Sequence, residues 1–598
     1  MHKLNWKSKI VCYANPNRGT RHLRRFAQDT DGSMTILSLF LVMIVFTAAG
    51  FAVDMMRYDR ERVKLQYALD RAVLAAADLD QELCPRDVVR DYLSKENLDQ
   101  YLIDDSVVVT PDTCGAQNAR LAGKRKVEAS AAMQVKTHFM QWSGVDTLGS
   151  TATSVAEESI GNVEISLVLD VSGSMSGTKL ANLKVAAKDF VDEMVNKSED
   201  GKLSISIVPY SEQVSVPDFL MNELNTIGAN EVANCIDFGS TDFTTTTFNY
   251  YDIEDGNGNV IRAGDSVPQT LHFKDSGYND RRAADTLVTS NICRKETPTD
   301  QRAMAIIQND ATKLKDQIDL LQASGWTSID VGLKWGLTLL DDSIQPLISR
   351  LSDTSNIPDV FDARPGRNRT ADSLKVLVLM SDGENTRQHK VNSPYNDGPS
   401  DIYWNEVAEK YSVHDEENNR FSWPGVRTTV YRDGKYWTRD YYQDHAFGDR
   451  SSYRRYECTS YYDGYCYARN NNSTRDFSES GTPAELLWPD VWAHTEKAAI
   501  YDLIESAHGT TEANEFWNDS TTELRQWNKD PRVYSLCAQA EEEEVLIFSI
   551  AFEAPEGVKP MLKTCAVEDG RYYEATGAQI QGVFDSISAT IQNLRLTQ

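Results

Sequence analysis

The sequence predicts a doubly wound α/β domain carried behind a single apolar helix, and three observations point there. Residues 34–53 contain no charged side chain, enough helix to cross a hydrocarbon core. Three strand-length apolar runs, VEISLVLD (163–170), LKVLVLMSD (374–382) and VLIFSIAFE (545–553), are separated by amphipathic helical patterns. Such runs suit central parallel strands buried on both faces, and their alternation with helices builds a doubly wound sheet. The first two runs also end in turns rich in hydroxyls and acids, where open α/β sheets place their ligands.

In chain order, a basic segment (residues 1–33) comes first, with Lys3, Lys7, Lys9, Arg18, Arg21, Arg24 and Arg25 against Asp29 and Asp31. The positive-inside rule places it in the cytoplasm and everything beyond Asp54 outside. A cleaved secretory signal is the alternative. The apolar run is long for one, and no small-residue cleavage motif follows, so a retained anchor is expected. Residues 57–78 continue as a helix with Val63, Tyr67, Leu69, Val73, Leu74 and Ala77 on its apolar side, so span and helix would form one rod.

The stretch DGSMTILSLFLVMIVFTAAGFAVDMMRYDRERVKLQYALDRAVLAAAD resembles the N-terminal segment of TadE/TadG-type Flp pilus-assembly proteins. The resemblance rests on Gly32, Asp54, Leu65-Gln66 and the alanine-rich 68–77, with Leu69 and Arg71 at variable positions. Related pseudopilins are cut after such a glycine and carry a glutamate five residues later. Leu37 stands there instead, which favours a permanent anchor.

Residues 54–160 are read as this helix plus a small stalk module. Val107-Val108-Val109 and 126–135 suggest short strands, and 150–158 is small and polar. The α/β domain spans 161–598. It contains helices at 178–195, 328–340 and 578–594, a further strand at 202–210, and two long insertions at about 212–300 and 386–488. The second insertion is tyrosine-rich and holds a hairpin signal at Asp433-Gly434. It is read either as a disulfide-clamped subdomain packing its own tyrosines or as an interaction surface.

At 598 residues, with 41% hydrophobic and 25% charged residues, the chain has material for several folded domains. A net charge of -28 argues against nucleic acid, whose phosphates it would repel. Of nine cysteines only Cys12 precedes the apolar run. The other eight follow it, as an oxidising compartment permits. Sequence proximity suggests Cys84–Cys114, Cys235–Cys293, Cys458–Cys466 and Cys537–Cys565, although other pairings stay open.

The sharpest local signal is Asp170-Val-Ser172-Gly-Ser174, directly after an apolar strand and before a helix. An acid and two hydroxyls at alternate turn positions can aim oxygens at one point, an environment for a hard cation. Alternatively, Ser172 or Ser174 could simply cap the following helix. Thr327, before a helix, and Asp382, in the strand-end phrase SDGE, complete a set that resembles the metal-ion-dependent adhesion site of von Willebrand factor A domains. That resemblance implies that Ser172, Ser174 and Thr327 ligate a divalent cation directly, most simply Mg²⁺, with Ca²⁺ or Mn²⁺ as alternatives. Asp170 and Asp382 would act directly or through water, and a partner's carboxylate would fill the remaining position. The C-terminal segment with Cys537 and Cys565, and the phrase LKWGLTLLDD, also resemble TadG-like proteins.

No zinc-protease motif, nucleophile elbow or phosphate-binding loop occurs, so a non-enzymatic role is expected. DIEDGNGN (252–259) lacks calcium-loop spacing and reads as a turn, and 541–544 reads as a solvated acidic run. The function expected is a bacterial inner-membrane protein with its bulk in the periplasm. It would bind a pilus or secretion-apparatus component, or another copy of itself, through the metal site. A surface adhesin using the same site on host or matrix protein is the alternative.

Overall fold

The computed structural model describes residues 32–78, 81, 83–110, 124–159, 161–255, 257–290, 292–293, 302–354, 356–369, 373–432, 435–462 and 465–595. Nearly all of the basic segment, Cys12, Cys114 and the Asp433-Gly434 turn lie outside these residues. The chain divides into two compact units, 1–160 and 161–598.

In the first unit, helix α1 (Gly32–Ala77) runs for 46 residues without a break. Large side chains from Met34 to Phe46 are exposed, whereas Leu65, Leu69, Ala72, Val73 and Ala76 are fully buried. The latter recur at helical spacing and pack on α2 (Pro85–Lys95) and a three-stranded antiparallel sheet. Its strands are β1 (Val108–Thr110), β2 (Lys124–Lys136) and β3 (Thr147–Ser159). The segment read as small and polar is thus a complete strand, paired with β2 from Lys124↔Ser159 to Lys136↔Thr147. Its inward positions are small (Ser150 and Ala152 are buried), so apolar alternation is invisible in its composition.

The second unit is built on a six-stranded sheet. Its strands are β4 (Asn162–Asp170), β5 (Leu203–Tyr210), β6 (Ala305–Gln308), β7 (Ser373–Ser381), β8 (Leu546–Phe552) and β9 (Tyr572–Ala575). Their spatial order is β6-β5-β4-β7-β8-β9, parallel except for β6 against β5. Chain order therefore reverses between β4 and β7, the topological switch point of a doubly wound sheet. One face is covered by α3 (Thr178–Asn196), α4 (Ala311–Leu320) and the closing helix Gln579–Arg595. The other carries α5 (Ile329–Thr338), α6 (Gln526–Glu542) and α7 (Lys559–Ala566). The short edge strands β6 and β9 have no counterpart in the sequence reading, because four residues at a sheet edge leave little periodicity.

Every residue of α5 is buried, and glycine lets it lie close to the sheet. A Cβ on Gly336 would overlap Val168 Cγ2 and sit 3.0 Å from Leu377 Cδ1, and one on Gly332 would meet Tyr210 Cδ1 at 2.6 Å. Gly336→Val should therefore destabilise this unit by about 1–3 kcal/mol through overpacking, measured by denaturant unfolding.

Both insertions are folded. In the first, Phe238 and Phe248 bring their rings within 5.5 and 5.4 Å of Trp335 on α5, and Cys235–Cys293 clamps the segment. Residues 252–259 form a turn in which Asp255 accepts the N–H groups of Asn257 and Asn259. The second contains a five-stranded antiparallel sheet, in the order Lys435–Gln443, Arg420–Arg432, Lys410–Asp415, Pro399–Asn405, Ala484–Leu487. A separate hairpin pairs Ser452–Tyr462 with Tyr465–Ser478. The second insertion runs on past residue 488. Helices Trp488–His494, Lys497–His508 and Thr510–Asp519 share its core through Trp488, Trp492, Ile500 and Phe516. Strand Gln388–Val391 then pairs with Thr521–Leu524 to close both ends. Cys537 bonds to Cys565, joining α6 to α7, and Cys84 is also disulfide-bonded. Cys458 and Cys466 lie on the paired hairpin strands.

His389 ties the two insertions together. Its backbone N–H and Nδ1 lie 2.7 and 2.8 Å from Glu212 Oε1, and Nε2 lies 3.4 Å from Asp275 Oδ2. Burial alone would lower its pKa, but Glu212 and Asp275 outweigh it and raise the value above 6.5. A raised histidine stabilises fully below its unfolded pKa and loses that contribution as pH climbs through the folded value. Stability should therefore decline as pH rises above 6.5, and His389→Gln should flatten that decline in a pH series of unfolding midpoints.

Candidate metal-binding site

Asp170 ends β4 at the switch point and is fully buried. Its Oδ1 accepts the Ser172 N–H at 2.8 Å, and its Oδ2 accepts the Ser381 hydroxyl at 2.9 Å and the Tyr210 hydroxyl at 3.4 Å. Burial and then the charge of Asp382 push its pKa up to about 6. Two carboxylates are thus crowded together with little water to screen them.

The following turn is held from outside: the Gly173 N–H donates to Gly325 O and the Ser324 N–H to Val171 O, both at 3.0 Å. Gly177, at φ 83°, leads into α3 with no side chain capping the helix. Helix capping is therefore not what Ser172 and Ser174 do. Their hydroxyls lie 3.0 Å apart, and Ser174 donates to Asp382 Oδ1 at 2.6 Å.

Asp382 follows the last residue of β7 and is 3% exposed. Its Oδ2 accepts Lys179 Nζ at 2.7 Å, from the first turn of α3. Thr327, 4% exposed, sits two residues before α5. Its N–H donates to the Thr386 hydroxyl at 2.7 Å, and its carbonyl accepts Lys529 Nζ at 2.7 Å. Lys529 is fully buried beside Asp330, and burial lowers its pKa to about 8. A Cβ on Gly383 would lie 3.6 Å from Ser174 Oγ and 3.8 Å from Thr327 Oγ1, so both hydroxyls face the same glycine. The structure thus gathers Asp170, Ser172, Ser174, Thr327 and Asp382 around one point at the ends of β4 and β7.

The donor set suits a hard divalent ion, since all five side chains offer oxygen and none offers sulfur or imidazole. Two carboxylates and two hydroxyls would hold it, with Thr327 supplying a third.

Sequence reasoning missed Lys179, Ser381, Tyr210 and Lys529, the groups that neutralise, orient or brace the oxygens. Ser381 stands in the phrase SDGE without a role assigned to it, the other three belong to no motif, and only the folded sheet brings them close. It also missed a second group of donors, Asp401, His414 and Glu416, whose ligand atoms lie within 4.8 Å of one another. Asp401 and His414 come from neighbouring strands of the insertion sheet, a proximity no local spacing signals.

Residues 32–79 match the family model described as putative Flp pilus-assembly TadE/G-like. No curated protein matches the chain. Among solved structures, the von Willebrand factor domain of the type V pilus tip protein Mfa5 from Porphyromonas gingivalis is 13% identical. That match covers 73% of this chain and 96% of that one at a TM-score of 0.28. The pilus adhesin RrgA from Streptococcus pneumoniae is 12% identical, covering 79% and 47% at 0.29. The pilus adhesin SpaC from Lactobacillus rhamnosus GG, in its open conformation, is 9% identical, covering 78% and 32% at 0.26. This chain thus spans about a third of the SpaC chain's length.

Proposed function

We propose that the chain is a membrane-anchored binding component of a Tad/Flp-type pilus-assembly apparatus. In this reading a divalent cation held by Asp170, Ser172, Ser174, Thr327 and Asp382 grips a carboxylate of a protein partner. The observation that carries it is the meeting of these five side chains at the switch point, two of them carboxylates and three of them neutral hydroxyls. Neutral ligands leave the ion electrophilic toward an outside acid, which suits capture better than structural storage. The TadE/G-like match of residues 32–79 supports the pilus context. Helix α1 supports the anchor, being long and apolar enough to cross a membrane. The N-terminus then lies in the cytoplasm, and both folded units lie in the periplasm. The partner is a pilus or secretion-apparatus subunit, or a second copy of this chain.

The test is co-purification of the full chain from pilus-producing cells with Mg²⁺ and with EDTA, together with piliation of a Thr327→Ala strain. Partner capture that needs Mg²⁺ and falls with Thr327→Ala supports the reading. Equal capture in EDTA and normal piliation in the variant would refute it.

A further inference from the structure

We propose that the loop joining β2 to β3, residues 139–145, is a second membrane contact: an aromatic foot seated in the bilayer interface beside the exit of α1. The inference rests on the anchoring reading and adds a surface to it.

The loop is held against α1 by one side chain. Asp54 is 2% exposed, and its carboxylate accepts the backbone N–H groups of His138, Phe139 and Met140, the latter two at 2.7 and 2.8 Å. Phe139 then reaches one helical turn back along α1. Its ring covers Gly50, where a Cβ would lie 2.7 Å from the Phe139 ring atoms Cγ and Cδ1. From residue 34 to 49 every position of α1 is exposed, and Gly50 is the first that the protein covers. The loop is therefore the edge of this unit nearest the apolar span.

What that edge presents is apolar. Trp142 is 81% exposed and packs edge-on to Phe139 with ring centroids 6.1 Å apart, and Val145 and Phe139 are 39% and 37% exposed. The loop is ordered around these exposed groups, by the Asp54 clamp and by Gly144 at φ 90°, so it displays them in a fixed pose.

Continuity identifies the occupant. A 20-residue span is about 30 Å of helix, so Gly50 falls roughly 4–5 Å inside the far boundary of the hydrocarbon. Phe139, lying on Gly50, stands at that depth with Trp142 beside it, close to the interface where tryptophan rings settle. Arg57, one turn beyond Asp54 with its Nη1 3.9 Å from Asp54 Oδ1, and Lys136, at the end of β2, bring positive charge near the loop, as an interface lined by lipid phosphates favours. Asp146 is the acid that follows the loop. A water-facing loop gains nothing from an exposed tryptophan held rigid, whereas an interface accepts its ring and its N–H together.

The experiment uses the full chain in phosphatidylglycerol–phosphatidylethanolamine nanodiscs. Photoreactive p-benzoylphenylalanine replaces Trp142, Phe40 on the span, or Val155 on β3. Val155 lies two residues past Thr153, whose carbonyl is bonded by Gln66, far up α1 from Gly50. Lipid adducts at 142 with a yield like that at 40, and none at 155, are expected. Adducts at 40 but none at 142 would overturn the foot while the anchor stands. Protein adducts alone at 142 would overturn it too, by showing another occupant. Loss of lipid adducts at both 40 and 142 would remove the anchor and the foot together. All three sites are exposed, so the probe should not perturb folding.

Discussion

Excess Mg²⁺ should raise the unfolding midpoint of the full chain, EDTA should cancel the rise, and Asp382→Ala should abolish the response. A ligand that binds only the folded state stabilises it by about 2.7 kcal/mol when present at a hundred times its dissociation constant. Asp382 is the choice because its carboxylate links three elements: it accepts from Ser174 in the turn and from Lys179 on α3, and it sits at the end of β7. Removing it leaves Lys179 without this partner and takes away half of the site's negative charge. The variant's own stability is compared in EDTA alone, so loss of metal response is read separately from loss of fold. An undiminished Mg²⁺ shift in Asp382→Ala would place the ion elsewhere, with Asp401, His414 and Glu416 the next residues to substitute.

A second large effect is expected at Asp54. One buried carboxylate satisfies three consecutive backbone N–H groups of the β2–β3 connection. Hydrogen bonds to a charged acceptor are stronger than neutral ones, and losing the acceptor leaves three backbone donors without it at once. The bonds share one carboxylate and are not additive, so Asp54→Ala should destabilise the first unit by more than a typical surface substitution. Asp54→Asn, which keeps an acceptor oxygen but loses the charge, should cost less. Hydrogen exchange at residues 138–140 is the direct reading. Protection there should collapse in Asp54→Ala and persist for α3 and β4, which belong to the other unit.

The central strands were readable because burial on both faces leaves nearly continuous apolar runs, as in 163–170 and 374–382. The metal turn was readable because its oxygens sit at alternate positions of one short segment. Other features were hidden for physical reasons. Strand β3 faces the core with serine and alanine, so its alternation carries no hydrophobic signal. The second insertion is joined by pairings such as Gln388↔Leu524, and contacts between residues so far apart leave no local periodicity. Asp54 entered only through resemblance, as an acid ending an apolar run. Its task as the clamp of a loop more than eighty residues away needed coordinates. Lys179 and Lys529 were likewise silent, since a lone lysine on a helix usually points to water.

The short clasp between Gln388–Val391 and Thr521–Leu524 has a mechanical consequence. A tug on the tyrosine-rich insertion reaches the rest of the chain through the clasp's two backbone strands and through the first insertion, to which Arg282–Asp490 and Asn279–Glu496 bind it. Of the two strands, Thr521–Leu524 runs into α6, and Gln388–Val391 leads back within a few residues to Asp382. Part of a load borne on the insertion thus arrives at Asp382, one of the five oxygen-bearing side chains proposed to hold a cation.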